Sequence, residues 1–310
     1  MKYLYSVADT NSFTLADDLI QKTQVIQLEK YQKFVFDNNN MLLKLVNKFS
    51  KPPEKIIIIF SSVKNIGDSL IELGLLVDIL RREYSCDIEC FIPYLQYCRS
   101  NRLNDDMISL GAKVYISFLK SLPIKKYILF DLHAPELVGF FEQPVYQLST
   151  LPLFHNSFTK RKISLDYVVS PDGGGYDISS KLASILNIKS DFFTKIRRDH
   201  SGKFVTDDAK KHNLRGKKIL LLDDEINSGE TLLVAIERLL NEDVEEIHIA
   251  IIYSFVKESI LDKISKIKTI KSFTTTNLGI PICPTNVLNL NFDYHIIDCS
   301  ELLLQYILQH

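Results

Sequence analysis

Short runs rich in Ile, Val, Leu and Tyr alternate along this chain with segments of helical spacing, and that rhythm confines the fold to βαβ units. Strands are expected at Lys2–Val7, Lys55–Phe60, Ile88–Ile92, Tyr127–Leu132, Tyr167–Ser170, Lys218–Leu222, Glu246–Ile252 and Ile270–Thr274. Helices are expected between several of them, at Gly67–Tyr84, Leu110–Lys120, Asp177–Leu186 and Thr231–Asn241. In the first helix Leu70, Leu73, Leu76, Val77 and Leu80 share one face, and Arg81-Arg82 close it where the helix dipole favours cations.

A length of 310 residues is enough for two domains of ordinary size. The break is expected near 146–162, where "QLSTLPLFHNSFTKRK" loses periodicity, giving an N-terminal domain 1–148, a second domain 149–290 and a closing segment 291–310. Strand, polar or glycine-bearing loop and helix occur twice, at "IIIIFSSVKNIGDSL" and "ILLLDDEINSGETLL", as two similar α/β halves would require. Net charge is −1 and 46% of residues are hydrophobic, so nothing in the composition invites a nucleic acid or a membrane. The longest aliphatic stretch, Ile56–Phe60, is far short of a spanning helix. The opening "MKYLYSVADTNSF" lacks an apolar core, so no secretion signal is read and a cytoplasmic location is expected. None of Cys86, Cys90, Cys98, Cys283 and Cys299 sits in a C-x-x-C spacing, and Cys86 and Cys90, which could share a metal, have no His pair nearby to complete a tetrahedron, so the cysteines are expected to be reduced.

Within this frame Asp223-Asp224 is an anomaly, two carboxylates at the end of an aliphatic strand. Ligands of parallel α/β sheets bind outside the carboxyl ends of the strands, so the pair is placed at a mouth. The following Asn227-Ser228-Gly229-Glu230-Thr231 opens a helix and turns backbone N–H groups toward an anion. Carboxylates for vicinal hydroxyls beside a phosphate cup suit a sugar phosphate. A plain turn with Ser228 as helix cap is the other reading of the same residues.

Six segments in order, "NIGDSLIELGLLVDILRR", "IPYLQYCRSNR", "FDLHAPELVGFFEQPV", "VVSPDGGGYD", "TKIRR" and the Asp-Asp loop, resemble the ribose-phosphate pyrophosphokinase (PRPP synthetase) family over nearly the full length. The resemblance implies an α/β fold of two tandem type I phosphoribosyltransferase-like domains, each a mainly parallel sheet flanked by helices. It further implies Mg²⁺-dependent transfer of a diphosphate from ATP to the C1 hydroxyl of a 5′-phosphorylated ribose, and a homo-oligomer, dimer or hexamer. By the same resemblance Lys195 and Arg197 clamp the migrating diphosphate, Arg99, Arg102 and His133 contact ATP, and His133 and Asp172 serve the metal. Asp223, Asp224 and Asn227 to Thr231 then hold the ribose phosphate.

Three departures from the family pattern stand out. "VIQLEKYQKFVFDNNNMLL" lacks the family's adenine-gripping Phe-x-Asp-Gly-Glu, leaving Tyr31, Phe34 or Phe36 to stack on the base. In the cup, Glu230 would repel a terminal phosphate. After "PDGGG", Tyr176, Asp177 and Ile178 replace a stretch that is partly basic in relatives. The last two favour, slightly, an acceptor whose 5′ phosphate is already esterified, ADP-ribose, as in a phage-associated branch of the family that supports NAD rebuilding. Ribose 5-phosphate stands close behind. A catalytically silent regulator is disfavoured by the retained Lys195 and Arg197, and an ordinary phosphoribosyltransferase would not need the "DLHA" and "YCRSNR" segments.

Overall fold

The structure is a computed structural model describing all residues except 1, 8–9, 25, 50–52, 64, 104–105, 194–196, 199–203, 206–212 and 281–289; for 6–7, 10–14, 197–198 and 204–205 it describes backbone only. The chain divides into two compact units, 1–149 with 299–310, and 150–298.

The first unit runs β1 (Lys2–Val7), α1 (Thr10–Gln21), β2 (Ile26–Leu28), β3 (Tyr31–Val35), β4 (Met41–Leu45), β5 (Lys55–Phe60), α2 (Ile66–Glu83), β6 (Asp87–Ile92), α3 (Gly111–Lys120), β7 (Lys126–Phe130) and β8 (Val145–Leu148). Its six-stranded sheet has the order β2-β1-β5-β6-β7-β8, parallel throughout, while β3 and β4 form a separate antiparallel hairpin. The second unit runs α4 (Leu151–Lys160), β9 (Tyr167–Ser170), α5 (Tyr176–Leu186), β10 (Lys189–Phe192), β11 (Arg197–Arg198), β12 (Phe204–Val205), β13 (Lys218–Ile226), α6 (Glu230–Asn241), β14 (Glu246–Ser254), α7 (Glu258–Ser265), β15 (Ile270–Thr276) and β16 (Asp293–Ile297). Its sheet, β10-β9-β13-β14-β15-β16, is also parallel throughout, and β11 and β12 are again an antiparallel pair. The two strand orders correspond position for position, so the faint sequence repeat is a repeat of the whole fold.

Continuous apolar runs form these strands because a parallel sheet covered on both faces offers no wet side. Ile56 to Phe60 are all buried, and so are Leu220 to Leu222. On β14 alternate residues separate cleanly: Ile247, Ile249 and Ile251 join one core with Leu232, Ile236 and Leu239 of α6 and Leu261 and Ile264 of α7. His248, in the other alternation, meets Ser272 of β15 at 2.8 Å. Helix α2 buries Leu73, Leu76, Val77 and Leu80 together with Ser69 and Glu72.

Several expectations need correction. The segment 146–162 is not irregular: it holds the end of β8 and all of α4, where Pro152 fits the first turn and Phe154 and Phe158 bury one face. Strand β13 runs on to Ile226, because Asp223, Glu225 and Ile226 keep their register with Ile251, Tyr253 and Ser254. The closing segment does not leave the second unit at 291; β16 pairs with β15, and the return begins at Cys299. Helix α8 (Ser300–Gln309) then packs on α1, as α4 packs on α5 in the second unit. The C-terminus thus supplies the first unit with the helix that in the second unit precedes the first strand.

Polar ties fix α8. Lys22 donates to Ser300 Oγ at 2.8 Å, and Tyr306 OH reaches Glu89, a buried carboxylate that also accepts from Lys55 at 3.0 Å. No helix among the described residues is long and apolar enough to cross a membrane. Leu303 of α8 is fully buried. Leu303→Ala is expected to cost about 2–5 kcal/mol and to speed amide hydrogen exchange in α1 as well as α8; a change confined to α8 would show that the helix is an ornament on the first unit.

Candidate functional site

In the second unit, β9 and β13 are neighbours and carry acidic groups at their carboxyl ends. Just past β9, Asp172 bends the chain through Gly173–Gly175, its Oδ1 accepting from the N–H of Gly174 at 2.8 Å and Gly175 at 3.4 Å. Ser170 Oγ donates to the carbonyl of Asp172 at 2.7 Å. A β-carbon on Gly175 would lie 2.5 Å from Ser170 Oγ and 3.7 Å from Asp223 Oδ1, so glycine is needed for the turn to reach the β13 carboxylates.

Asp223 and Asp224 are half-buried, and the N–H of Asp224 donates to Asp223 Oδ1 at 3.0 Å. Burial pushes the Asp223 carboxyl well above its ordinary value, with the charges of Asp224 and Asp172 adding to the effect. The ionised form of a desolvated acid among like charges is favoured by hydroxyl donors or a cation. Oxygen donors of this kind fit magnesium, which is satisfied by one or two carboxylates plus substrate phosphates. Among the described residues no group of three or more His, Cys, Asp or Glu forms a self-sufficient metal cage.

The cup follows. Gly229, at φ 79°, sits in the left-handed region immediately before α6, and a β-carbon there would strike Ile260 at 2.9 Å. The N–H of Glu230 lies 3.4 Å from Ser228 Oγ, but the cap position of α6 is taken by Gly229 with no side-chain cap, so Ser228 is not the helix cap that the plain-turn reading expects. Asn227, Ser228, Glu230 and Thr231 are exposed. Glu230 stands in the first turn of α6, where an acidic residue is favoured by the dipole and turns to water.

Beside the Asp172 turn, the rings of Tyr176 and Phe192 lie 4.9 Å apart at 55°, and Ser190 Oγ is 3.4 Å from Tyr176 OH. Asp177, which replaces a basic stretch of the relatives, is paired with Lys181 at 2.6 Å on the α5 surface.

In the first unit, the arginine segment meets the turn that follows His133. The guanidinium of Arg102 contacts Glu136 Oε1 at 3.0 Å, Asn101 Nδ2 reaches the same oxygen at 3.2 Å, and the charge of the exposed His133 bears on Glu136. Its own backbone N–H, then Arg102, hold the Glu136 carboxyl below its ordinary value. Arg99 is exposed on the same segment. Ser100, a departure from the family pattern, serves local structure. Its Oγ accepts from the N–H of Gly111 at 3.1 Å and its carbonyl from Ala112, docking the arginine segment on the start of α3. Glu136 was missed by sequence reasoning although it ends the segment "DLHAPE".

Of the residues expected to stack on adenine, Tyr31 is committed elsewhere. Its hydroxyl donates to the buried Glu72 at 2.8 Å, with Lys33 on the other carboxylate oxygen at 2.7 Å. Phe34 and Phe36, with Val35, Leu42 and Val46, are exposed on and around the β3–β4 hairpin. Lys195 lies outside the described residues. Arg197 begins β11, the counterpart of β3 in the repeat, and is described by its backbone alone.

A family model described as the N-terminal domain of ribose phosphate pyrophosphokinase matches residues 6–122, and a phosphoribosyl transferase domain model matches 154–281. The chain belongs to the ribose-phosphate pyrophosphokinase family. It is 28% identical over 220 residues to the ribose-phosphate pyrophosphokinase of Bacillus subtilis (strain 168), covering 71% of this chain and 68% of that one. With the ribose-phosphate pyrophosphokinase of Bacillus caldolyticus it shares 25% identity over 228 residues, 74% of this chain and 72% of that one. The fold matches the crystal structure of phosphoribosylpyrophosphate synthetase from Mycobacterium smegmatis with a TM-score of 0.81 at 19% identity, covering 99% of this chain and 97% of that one. A ribose-phosphate pyrophosphokinase-type fold therefore carries both the acidic and the arginine-bearing strand ends described above.

The raised carboxyl of Asp223 has a measurable cost in the ligand-free protein. A carboxyl whose folded pKa exceeds its unfolded value loses its stabilising contribution as pH rises through the folded pKa. Asp223→Asn, which keeps the acceptor for Asp224 N–H, is expected to raise the melting temperature at pH 8 by about 2–4 °C, with the gain shrinking as pH falls toward the ordinary carboxylate range. A gain that is absent, or independent of pH, would contradict a desolvated like-charge pair.

Proposed function

We propose that this chain transfers the β,γ-diphosphate of ATP to the C1 hydroxyl of ribose 5-phosphate and releases AMP. The observation that carries the reading is the convergence, at neighbouring strand ends, of Asp223-Asp224, the Asp172–Gly175 turn and the left-handed Gly229 that opens α6. In this reading Asp223 and Asp224 accept hydrogen bonds from the ribose hydroxyls, and the backbone from Ser228 to Thr231 takes the 5′ phosphate. Arg99, Arg102 and His133 face the nucleotide. Lys195 and Arg197 aim positive charge at the migrating diphosphate, a reaction that needs positioning and charge more than covalent help. Mg²⁺ would be held by Asp172, directly or through water, and would neutralise phosphate oxygens; His133, in the first unit, is read separately as a contact of the nucleotide. The curated relatives named for this activity support the assignment.

A second acceptor, ADP-ribose, is favoured by two observations: Glu230 adds a charge beside the cup, and the Tyr176–Phe192 pair offers ring surface next to the Asp172 turn. One experiment separates the readings. Incubation with Mg-ATP and either acceptor, followed by chromatography, should yield AMP and a diphosphate adduct with ribose 5-phosphate. AMP only with ADP-ribose would favour the second acceptor, and no AMP with either would remove the enzymatic reading. Lys195→Ala is expected to lower kcat by about 100-fold with unchanged melting. Glu230→Gly is expected to shift the ratio of kcat/KM values toward ribose 5-phosphate; an unchanged ratio would show that its charge is spent on solvent.

A further inference from the structure

Glu225 is the acidic neighbour of the aspartate pair to which the proposed reaction gives no role. It is 5% exposed, lies opposite Tyr253 in the sheet, and by strand alternation shares the Asp223 side of β13. A carboxylate so buried requires hydrogen-bond donors. One comes from the mouth: the side-chain Nδ2 of Asn227 donates to Glu225 Oε1.

The contact spans the last turn of chain before the cup. Ile226, between the two residues, is buried and its carbonyl accepts from the N–H of Phe255 at 2.9 Å, so the backbone at this point is anchored to the end of β14. Asn227 is exposed and is followed at once by Ser228 and the left-handed Gly229. Turning its amide over would set oxygen against oxygen, so Glu225 fixes both the orientation of the amide and the direction in which the chain enters the cup.

We infer that Glu225 is a positioning residue of the acceptor site, a buried latch that holds Asn227 and through it the turn leading to the helix α6 N-terminus. The inference rests on the reading of this mouth as the ribose-phosphate site. It assigns Glu225 no contact with substrate. Its effect is specific to the acceptor, because the latch lies in the second unit, whereas the arginine segment and His133 belong to the first.

The chemistry of the pair supplies the test. In Asn227→Asp two carboxylates face each other, and the latch opens. In the double variant Glu225→Gln with Asn227→Asp the donor and acceptor exchange places and the latch closes again. KM for acceptor and for ATP would be measured by AMP release, and acceptor binding separately by calorimetry with ribose 5-phosphate and with ADP-ribose. Asn227→Asp is expected to raise the acceptor KM and dissociation constant about tenfold while the KM for ATP stays within about twofold. The double variant is expected to return both acceptor values to within about threefold of the parent. Should Asn227→Asp fail to fold, the double variant is still expected to fold and bind. Unchanged acceptor binding in the single variant, or a double variant no better than the single, would overturn the latch. A parent protein that binds acceptor but releases no AMP would sink the proposed reaction while leaving the latch to be judged by calorimetry. One that binds neither acceptor would remove the site reading and the latch with it.

Discussion

Two adjacent carboxylates held in extended backbone at the end of a buried strand govern the second unit. The ladder with β14 continues beyond Asp223 and Asp224, so neither can retreat by unravelling the strand. The surroundings then accommodate their charge. Gly175 lets a neighbouring turn come close, Asp172 spends one oxygen on that turn's backbone, and Asp223 is left with its ionised form disfavoured. Such a site is costly empty, and hydrogen-bond donors or a cation would relieve that cost.

The duplication explains how one chain arranges two kinds of strand-end chemistry. Each unit has six parallel strands in the same order and an antiparallel hairpin inserted between corresponding strands. In the first unit the loops carry arginines, a histidine and Glu136; in the second they carry aspartates and glycines. Loop chemistry differs between the units while the sheets are alike, as strand interiors answer to packing and loops to ligands. The C-terminal helix completes the first unit, tying the last residues of the chain to the first strand's neighbourhood through Lys22 and Glu89.

Much of this was legible in the sequence wherever apolar period and length agreed. Lys2–Val7, Lys55–Phe60 and Tyr167–Ser170 have the bounds that composition alone assigns. The hairpin β3–β4 was not legible, because an exposed strand such as Tyr31–Val35 carries no buried alternation. Helix α4 hid behind Pro152 and a mixture of polar residues, although Phe154 and Phe158 mark its buried face. Strand β13 was cut short because carboxylates ordinarily end a strand, and only the pairing of Glu225 with Tyr253 reveals that it continues. The sequence places Asp172, Asp223 and Asp224 at strand ends, where the structure also has them, whereas the contacts of Glu136 and Glu225 could not be read from it. Both act through partners distant enough in sequence or odd enough in spacing that only coordinates connect them, Arg102 in one case and Asn227 in the other.

The most direct measurement is the carboxyl titration of Asp223, followed by carbon NMR with and without ribose 5-phosphate and Mg²⁺. Hydroxyl donors and a cation stabilise the ionised form, so saturation should bring the raised titration down toward that of an ordinary aspartate. A titration that does not move when acceptor is bound would mean that the pair does not receive the sugar, and would contradict the sugar-phosphate receptor at its centre.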